Sequence, residues 1–537
     1  MEQPFYVTTP IYYVNDRPHV GHCYSTLVAD CVARFMRLAG RDVFFLTGTD
    51  EHAEKVVESA QAHNVTPQQW SDRNAAAFQD AFGFINASND DFIRTTEPRH
   101  KSKVEAYVRK LLASGDIKLG DYEGWWDASQ EEYVTDNTAK EHDYKSPVTG
   151  KPLVKRTEQN YFFDLPKYEG WLLEHIKANP GFIRPEARKN EILGRIREGL
   201  QRVPISRAVK ADDPRSQWGI LMPGDPNHRI YVWIDALFNY LSTVDTPERK
   251  KWWPANVHVM AKDIVWFHAV IWPCLLKALG EGVPECVYAH SFWVREGRKM
   301  SKSLGNFIDL DTIKAYCAPA PAGFGVDAFR WYMLTQGPLG ATDADFTHAK
   351  FAEVYNADLA NGIGNAASRV ANMIEKYFGG KCPEPGETGF DLESDISSAV
   401  LAFRNAIGEM GPGSDWDSAL GLALGCSRRV DVVINASEPF KLAKDPANMP
   451  KVGAILYQSA EAIRIAAVLL SPAMPATMGE LLKRLGQEAP DTKGRFSKPL
   501  AELCKWGGLK PGTPIVKGDA LFPRWDVKNP APTAVAP

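Results

Sequence analysis

The chain has 537 residues, 44% of them apolar, with 62 Lys and Arg against 66 Asp and Glu. That composition gives room for two to four domains with sizeable cores and excludes a disordered chain. A charge balance this close to neutral favours no polyanionic partner overall, so any nucleic-acid contact must come from local patches.

Phe5-Tyr6-Val7-Thr8-Thr9 is β-branched and aromatic and reads as a strand ended by Pro10. Beyond Gly21, apolar positions Leu27, Val28, Cys31, Val32, Phe35 and Leu38 recur at three and four residues, which predicts a helix stopped by Gly40. Val43 to Thr47 reads as a short buried strand, with a helix from about Glu51. Strand, helix, strand, helix at this pitch opens a parallel α/β sheet. Residues 115–165 change character. They are rich in Tyr, Trp, Asp, Gly and Thr, and read as a small β-rich insertion. The α/β rhythm returns as three predicted strands, Ile230 to Ile234, Asn256 to Met260 and Cys286 to Ala289. From about Phe346 only helical patterns appear, broken by loops at Lys381–Gly389 and Gly411–Ser414, as in a helix bundle. The last residues, Asn529–Pro537, read as disordered.

Eight cysteines stand apart, none spaced as CxxC, which removes the zinc-finger signature and fits a reducing compartment. The first strand begins too early for a signal peptide, and no apolar run approaches membrane-spanning length. A cytoplasmic chain without membrane contact is expected.

Two short stretches carry the chemistry. His19-Val20-Gly21-His22 lies at a strand-to-helix junction, where free N–H groups face an anion and Gly21 lets a base or ribose approach the backbone. Its two imidazoles can donate to phosphate oxygens. Alone, the tetrapeptide reads first as two surface histidines in a turn. Lys299-Met300-Ser301-Lys302-Ser303 follows Arg295 and Arg298 and precedes Gly305, a cationic loop able to grip and release a triphosphate. Alone, it reads equally as a solvated basic loop. In this order they describe a site that holds ATP from two sides.

The pair resembles the class I aminoacyl-tRNA synthetases. Thr9 to Asn15, Thr47 to His52, Tyr231 to Ala236 and Ala261 to His268 resemble the methionine-specific members, over a span from about residue 4 to Leu521-Phe522-Pro523-Arg524. The resemblance implies an α/β Rossmann-type parallel sheet, split by a small β-rich insertion and followed by an all-α helix bundle. It divides the chain into catalytic halves at 1–115 and 226–295, an insertion at 116–225, a cationic-loop and stem-contact region at 296–345, a helical anticodon-binding domain at 346–528 and a tail at 529–537. It implies methionine, ATP with Mg2+, and a methionine tRNA as partners. His19, His22, Lys299 and Lys302 take catalytic roles. Gly21, Arg207, Trp293 and Val294 join His19, His22 and Lys302 in holding ATP. Ile11, Tyr13, Asp50, Trp233, Ala236, Leu237, Tyr240, Asp263, Ile264 and His268 take methionine, with Asp50 pairing its ammonium group and aromatic walls suiting its sulfur. Asn365, Arg369 and Phe440 read the anticodon. From the residues alone, Asp50 reads first as a helix cap and Trp233 as core.

The chain departs from the resembled pattern at several points. Leu237 replaces a proline, Ala53 a glycine, and Phe440 the usual tryptophan. Phe440 still offers a stacking face. Many relatives of the resembled family carry one or two zinc knuckles in the insertion, built on CxxC pairs. Here it has no cysteine, so a metal-free insertion is expected, held by Tyr122, Trp125, Trp126, Tyr133, Tyr161 and Phe162. Nine cations between Arg184 and Arg215 suggest a phosphate-facing surface, or equally a solvated helix face. No dimerising domain follows the bundle, so a monomer is expected. Another class I synthetase and a silent RNA-binding paralogue are the rivals. The span from His22 to Lys299 leaves too little room for a large editing insertion, and the intact motifs argue against silence.

Overall fold

In the computed structural model, residues 3–128, 132–134, 136–295, 297–300, 306–320, 323–408 and 416–526 are described. Six strands form the central sheet: β1 (Pro4–Tyr13), β2 (Asp42–Asp50), β3 (Asp91–Arg94), β4 (Ile183–Arg184), β5 (Val257–Ala261) and β6 (Cys286–His290). Their order is β3-β2-β1-β5-β6-β4, and every pairing is parallel. Helices cover both faces of such a sheet, which is why β2 and β5 are buried almost throughout rather than on alternate residues. From β1 the chain builds towards β2 and β3 on one side, and later towards β5, β6 and β4 on the other. The carboxyl ends of β1 and β5 therefore flank the switch point, where an open α/β sheet leaves a crevice for a ligand.

Two expected details change. Pro10 does not end β1. The register against β2 shifts between Thr8 and Ile11, and the strand continues to Tyr13. A proline has no N–H for the ladder, and a bulge is where a strand tolerates that. Ile230 to Ile234 is not one strand either. Asp225–Ile230 is an antiparallel strand, and Val232–Leu237 is a helix. A short apolar run has no periodicity to separate the two states, and tertiary packing decides.

The span 116–225 is composite. Ile117–Asp127 pairs antiparallel with Glu132–Val134 and Val154–Phe163, which pairs in turn with Val203–Pro204. Trp126 and Phe162 are buried there, and Trp125 packs on Val134, Ala139 and Leu153. The side chains of Tyr122 and Tyr133 lie outside the described residues. Yet β4, from the middle of this span, completes the parallel sheet against β6.

Beyond Ala344–Asp345 helices dominate. The loop Gly411–Ser414 and the tail Asn529–Pro537 lie outside the described residues. One segment, Pro446–Leu470, is long and apolar enough to cross a membrane by composition, contrary to the sequence reading, but 94% of its apolar window is buried inside the bundle. It also carries the buried Glu461–Arg464 pair at 2.7 Å, which a core tolerates because both ends are hydrogen-bonded. Helical region and sheet are joined through Asp30 on α1 (Val20–Leu38). Its carboxylate takes Arg34 at 2.9 Å and Arg330 at 2.7 Å, and Arg330 also donates to the carbonyls of Pro472 and Ala473.

Candidate active site

The site assembles at the carboxyl ends of β1 and β2. Tyr13 and Asp50 are register partners there, and Asp50 is buried. The chain then turns into α1, whose N-cap is His19. The Gly21 N–H donates to His19 Nδ1 at 3.0 Å, and the His19 N–H donates to His22 Nδ1 at 3.2 Å. Each neutral ring therefore carries its proton on Nε2, the nitrogen able to donate to a phosphate. Burial and the neighbouring His19 disfavour the His22 imidazolium, holding its pKa well below the ordinary range. A Cβ at Gly21 would stand 2.9 Å from His19 Cε1, so this glycine makes room for the ring as well as for a ligand.

Ser301 to Gly305, with Lys302, and the side chain of Lys299 lie outside the described residues. The backbone on either side is informative. Lys299 pairs with Val294 on the Trp293–Arg295 strand. On the far side, Asp309 forms a β-bridge with His19, and the Val20 N–H donates to the Ile308 carbonyl at 3.0 Å. Phe307 meets the His19 ring edge-on at 5.0 Å. Phe307, Ile308 and Asp309 thus lie against the N-terminus of α1. Trp293 is buried against Tyr24 of α1 and Tyr332, with Val294 half-buried beside it. Arg207 lies between two rings, 4.5 Å from Trp126 and 4.0 Å from Tyr231.

The expected methionine residues fall into two groups. Trp233 is half-buried, stacked on Phe267 at 3.9 Å and met edge-on by Tyr13 at 5.8 Å. Tyr240 and His268 form the second group. His268 Nδ1–H donates to the Ile264 carbonyl at 2.9 Å, so Nε2 accepts the Tyr240 hydroxyl at 2.8 Å. Burial pushes the His268 pKa down to about 4. A neutral, aromatic lining suits an uncharged thioether. Ile11 and Ile264 are half-buried, Ala236 and Leu237 buried, and Asp263 exposed on the turn after β5. Ala53, the N-cap of Glu54–Ala62, has φ −70° and ψ 145°, ordinary angles for alanine. Sequence reasoning missed Phe267, although the stretch Ala261–His268 contains it. It also missed His52, His100 and Asp235, whose contacts cross 183 and 135 residues and leave no local signal.

In the bundle, Asn365 and Arg369 are half-buried on the Gly364–Phe378 helix. Arg369 donates to Asp431 at 3.1 Å and to Asn435 at 3.0 Å, partners the sequence did not suggest. Phe440 lies just beyond Asn435 in the chain and is 43% exposed, so it is not a core residue. The basic stretch Arg184–Arg215 is less free than expected. Arg188 is buried, donating to Ser291 and the Ala341 carbonyl, and Arg215 pairs with Asp213 and Glu58. Among the described residues, no three His, Cys, Asp or Glu side chains gather as a metal group.

Known proteins carry the same architecture. The family model "tRNA synthetases class I (M)" matches residues 5–142 and 140–371. The methionine–tRNA ligase of Streptomyces coelicolor is 40% identical over 541 residues, covering 98% of each chain. That of Caldanaerobacter subterraneus subsp. tengcongensis is 39% identical over 535 residues, covering 98% of this chain and 80% of its own. The Mycobacterium tuberculosis methionyl-tRNA synthetase in complex with methionyl-adenylate superposes with a TM-score of 0.86 at 35% identity, over 97% of this chain and 100% of that one. With a split parallel sheet, a helical region and this depth of similarity along nearly its whole length, the chain belongs to the methionyl-tRNA synthetases of class I.

Proposed function

We propose that this member of the family joins methionine to ATP at the switch point between β1 and β5, and then passes the methionyl group to a methionine tRNA. The observation that carries the reading is the bridge between His19 and Asp309, which brings the exit of the cationic loop onto the first motif. The methionine carboxylate attacks the α-phosphorus, a P–O bond forms, and pyrophosphate leaves with the electron pair of the broken bond. The terminal ribose hydroxyl of the tRNA then attacks the acyl carbon and AMP leaves. No side chain becomes covalently attached. Catalysis is positioning with charge stabilisation. His19 and His22 donate from Nε2 to phosphate oxygens, Lys299 and Lys302 neutralise the leaving pyrophosphate, and Arg207, Gly21, Trp293 and Val294 complete the nucleotide site. Asp50 takes the ammonium group. The Tyr13, Trp233 and Phe267 rings and the Tyr240–His268 pair line the thioether, with Ile11, Ala236, Leu237, Asp263 and Ile264 around them.

Magnesium enters with ATP and neutralises phosphate charge. The donors fit that role, because Mg2+ is held largely by phosphates and water and needs no protein cage. Zinc has no part in the reading. We assign residues 346–528 to the anticodon, with Asn365 and Arg369 hydrogen-bonding and Phe440 stacking. The rest of the division given by the sequence also stands as our assignment, with β4 returned to the catalytic sheet. A cytoplasmic monomer completes the proposal. All eight cysteines are free thiols, which fits a reducing compartment. Light scattering that gives the mass of one chain tests the monomer.

Methionine-dependent ATP–pyrophosphate exchange tests the site. Lys302→Ala should slow it by about 10²–10³-fold with little change in the KM for methionine, the loss expected for one transition-state charge contact. An unchanged rate removes Lys302 from the mechanism.

A further inference from the structure

Asp235 is a buried carboxylate that the mechanism does not use. Its Oδ2 accepts His52 Nδ1–H at 2.6 Å, and its Oδ1 accepts His100 Nε2–H at 2.7 Å. All three side chains are at most 3% exposed. Burial alone would raise the Asp235 pKa, but the two imidazoles bring it down to about 2. The other nitrogen of His100, Nδ1, meets the Ser242 hydroxyl at 2.9 Å. His52 is packed edge-on against Trp218, whose Nε1–H donates to the Glu51 carbonyl at 2.6 Å.

The three ends of this network carry the methionine residues. His52 follows Asp50 by two positions, on the turn after β2, and its backbone N–H points at the Asp50 carboxylate from 3.5 Å. Asp235 belongs to the Val232–Leu237 helix. Positions two apart on a helix face roughly opposite sides, so Asp235 anchors the back of the helix whose front presents Trp233. Ser242 belongs to the Asn239–Ser242 helix, next to Tyr240. His100 reaches both helices from Pro98–Ala113. One carboxylate and two imidazoles thus join the elements bearing Asp50, Trp233 and Tyr240, which the chain brings together from far apart.

We infer that Asp235 is a positioning residue for methionine. Through His52 it fixes the ammonium-binding turn, and through His100 it fixes Trp233 and Tyr240, so that one spacing between ammonium and thioether is selected. The inference rests on the methionine pocket proposed above. A buried carboxylate with both oxygens satisfied holds its network's geometry, because any alternative leaves a charge without a partner.

The test measures KM for methionine and for ATP in pyrophosphate exchange, together with melting temperature. The variants are Asp235→Asn, His100→Ala, His100→Gln and Ser242→Ala, with Trp233→Ala as the control on the pocket. Asp235→Asn keeps shape but cannot accept from both imidazoles. It should raise the KM for methionine about 10- to 100-fold, as loss of an orienting partner or a misplacement near 1 Å does, while the KM for ATP stays within about twofold. His100→Gln, whose amide can still donate to Asp235, should fall between His100→Ala and wild type. Ser242→Ala should show a smaller rise in the same direction, even if Asp235→Asn does not fold. Equal rises for methionine and ATP overturn the inference. So does a loss of melting temperature in every network variant with the methionine KM unchanged. If Trp233→Ala also leaves the methionine KM unchanged, the pocket itself is misassigned. If Trp233→Ala raises it and the network variants do not, only the role of Asp235 fails.

Discussion

His19 and His22 each accept a backbone N–H at Nδ1, and that fixes what they can offer a phosphate. Only Nε2–H is left to donate. His22→Ala should therefore slow methionine-dependent pyrophosphate exchange by about 10²–10³-fold. His22→Gln, whose amide nitrogen can stand near Nε2, should recover part of the loss. If the two variants are equally slow, the donated hydrogen bond is not what His22 supplies. Phe440 is the second residue whose surroundings decide its role. At 43% exposure it contributes little to the core. Stacking on an anticodon base is worth roughly 1–3 kcal/mol. Phe440→Ala should weaken tRNA charging about 5- to 150-fold with exchange and melting temperature near wild type, and Phe440→Trp should be tolerated. A stable Phe440→Ala variant with unimpaired charging removes the stacking role. The sequence named both residues, but not the exposure of Phe440, which is set by how the bundle packs, nor the Nδ1 contacts, which need the backbone turn at the start of α1.

Among elements, the Ile117–Phe163 hairpin region was legible as β-rich because its aromatic and β-branched residues leave no helical face. It holds together through Trp126, Phe162 and the small cluster around Trp125, without a cysteine in the span. The purified protein should therefore contain no stoichiometric zinc, and EDTA should leave its melting temperature unchanged. About one zinc per chain, lost on chelation together with stability, would refute this. The Val232–Leu237 helix was not legible. Tyr231 to Ala236 is short and apolar, and such a run fits a buried strand as well as a buried helix. Its helical state places Trp233 and Asp235 on opposite sides, an outcome that a strand would reverse, since alternate residues of a strand share a face.

For the whole molecule, buried histidines govern the response to acid. His268 and His290 are held down to about 4 by burial, and His22 and His258 well below the ordinary value. Each binds a proton at about pH 6.5 when unfolded but resists it when folded. Stability is thus full above about pH 6.5 and falls as pH drops towards 4, by up to about 3 kcal/mol for each of His268 and His290. Asp327 works the other way. Burial raises its pKa to about 6, so its contribution is favourable below the ordinary carboxylate range and is lost as pH rises through 6. The four buried histidines together outweigh Asp327. The melting temperature should fall steadily from pH 7 to about pH 4.5, and a flat profile over that window contradicts the assignment of neutral buried rings.

The sequence by itself determined the class of fold, the two motifs and the helical second half. Those signals are local. A 3.6-residue period, a strand ended by a turn, or a motif of fixed spacing is written in neighbouring positions. Only the tertiary structure decided that β4 returns from within the insertion to close the sheet, that Asp309 bridges to His19, and that Asp235 holds His52 and His100 together. Hydrogen bonds between residues hundreds of positions apart depend on how the elements pack. Burial strengthens them by removing water, and no local pattern in the chain records which partners will meet.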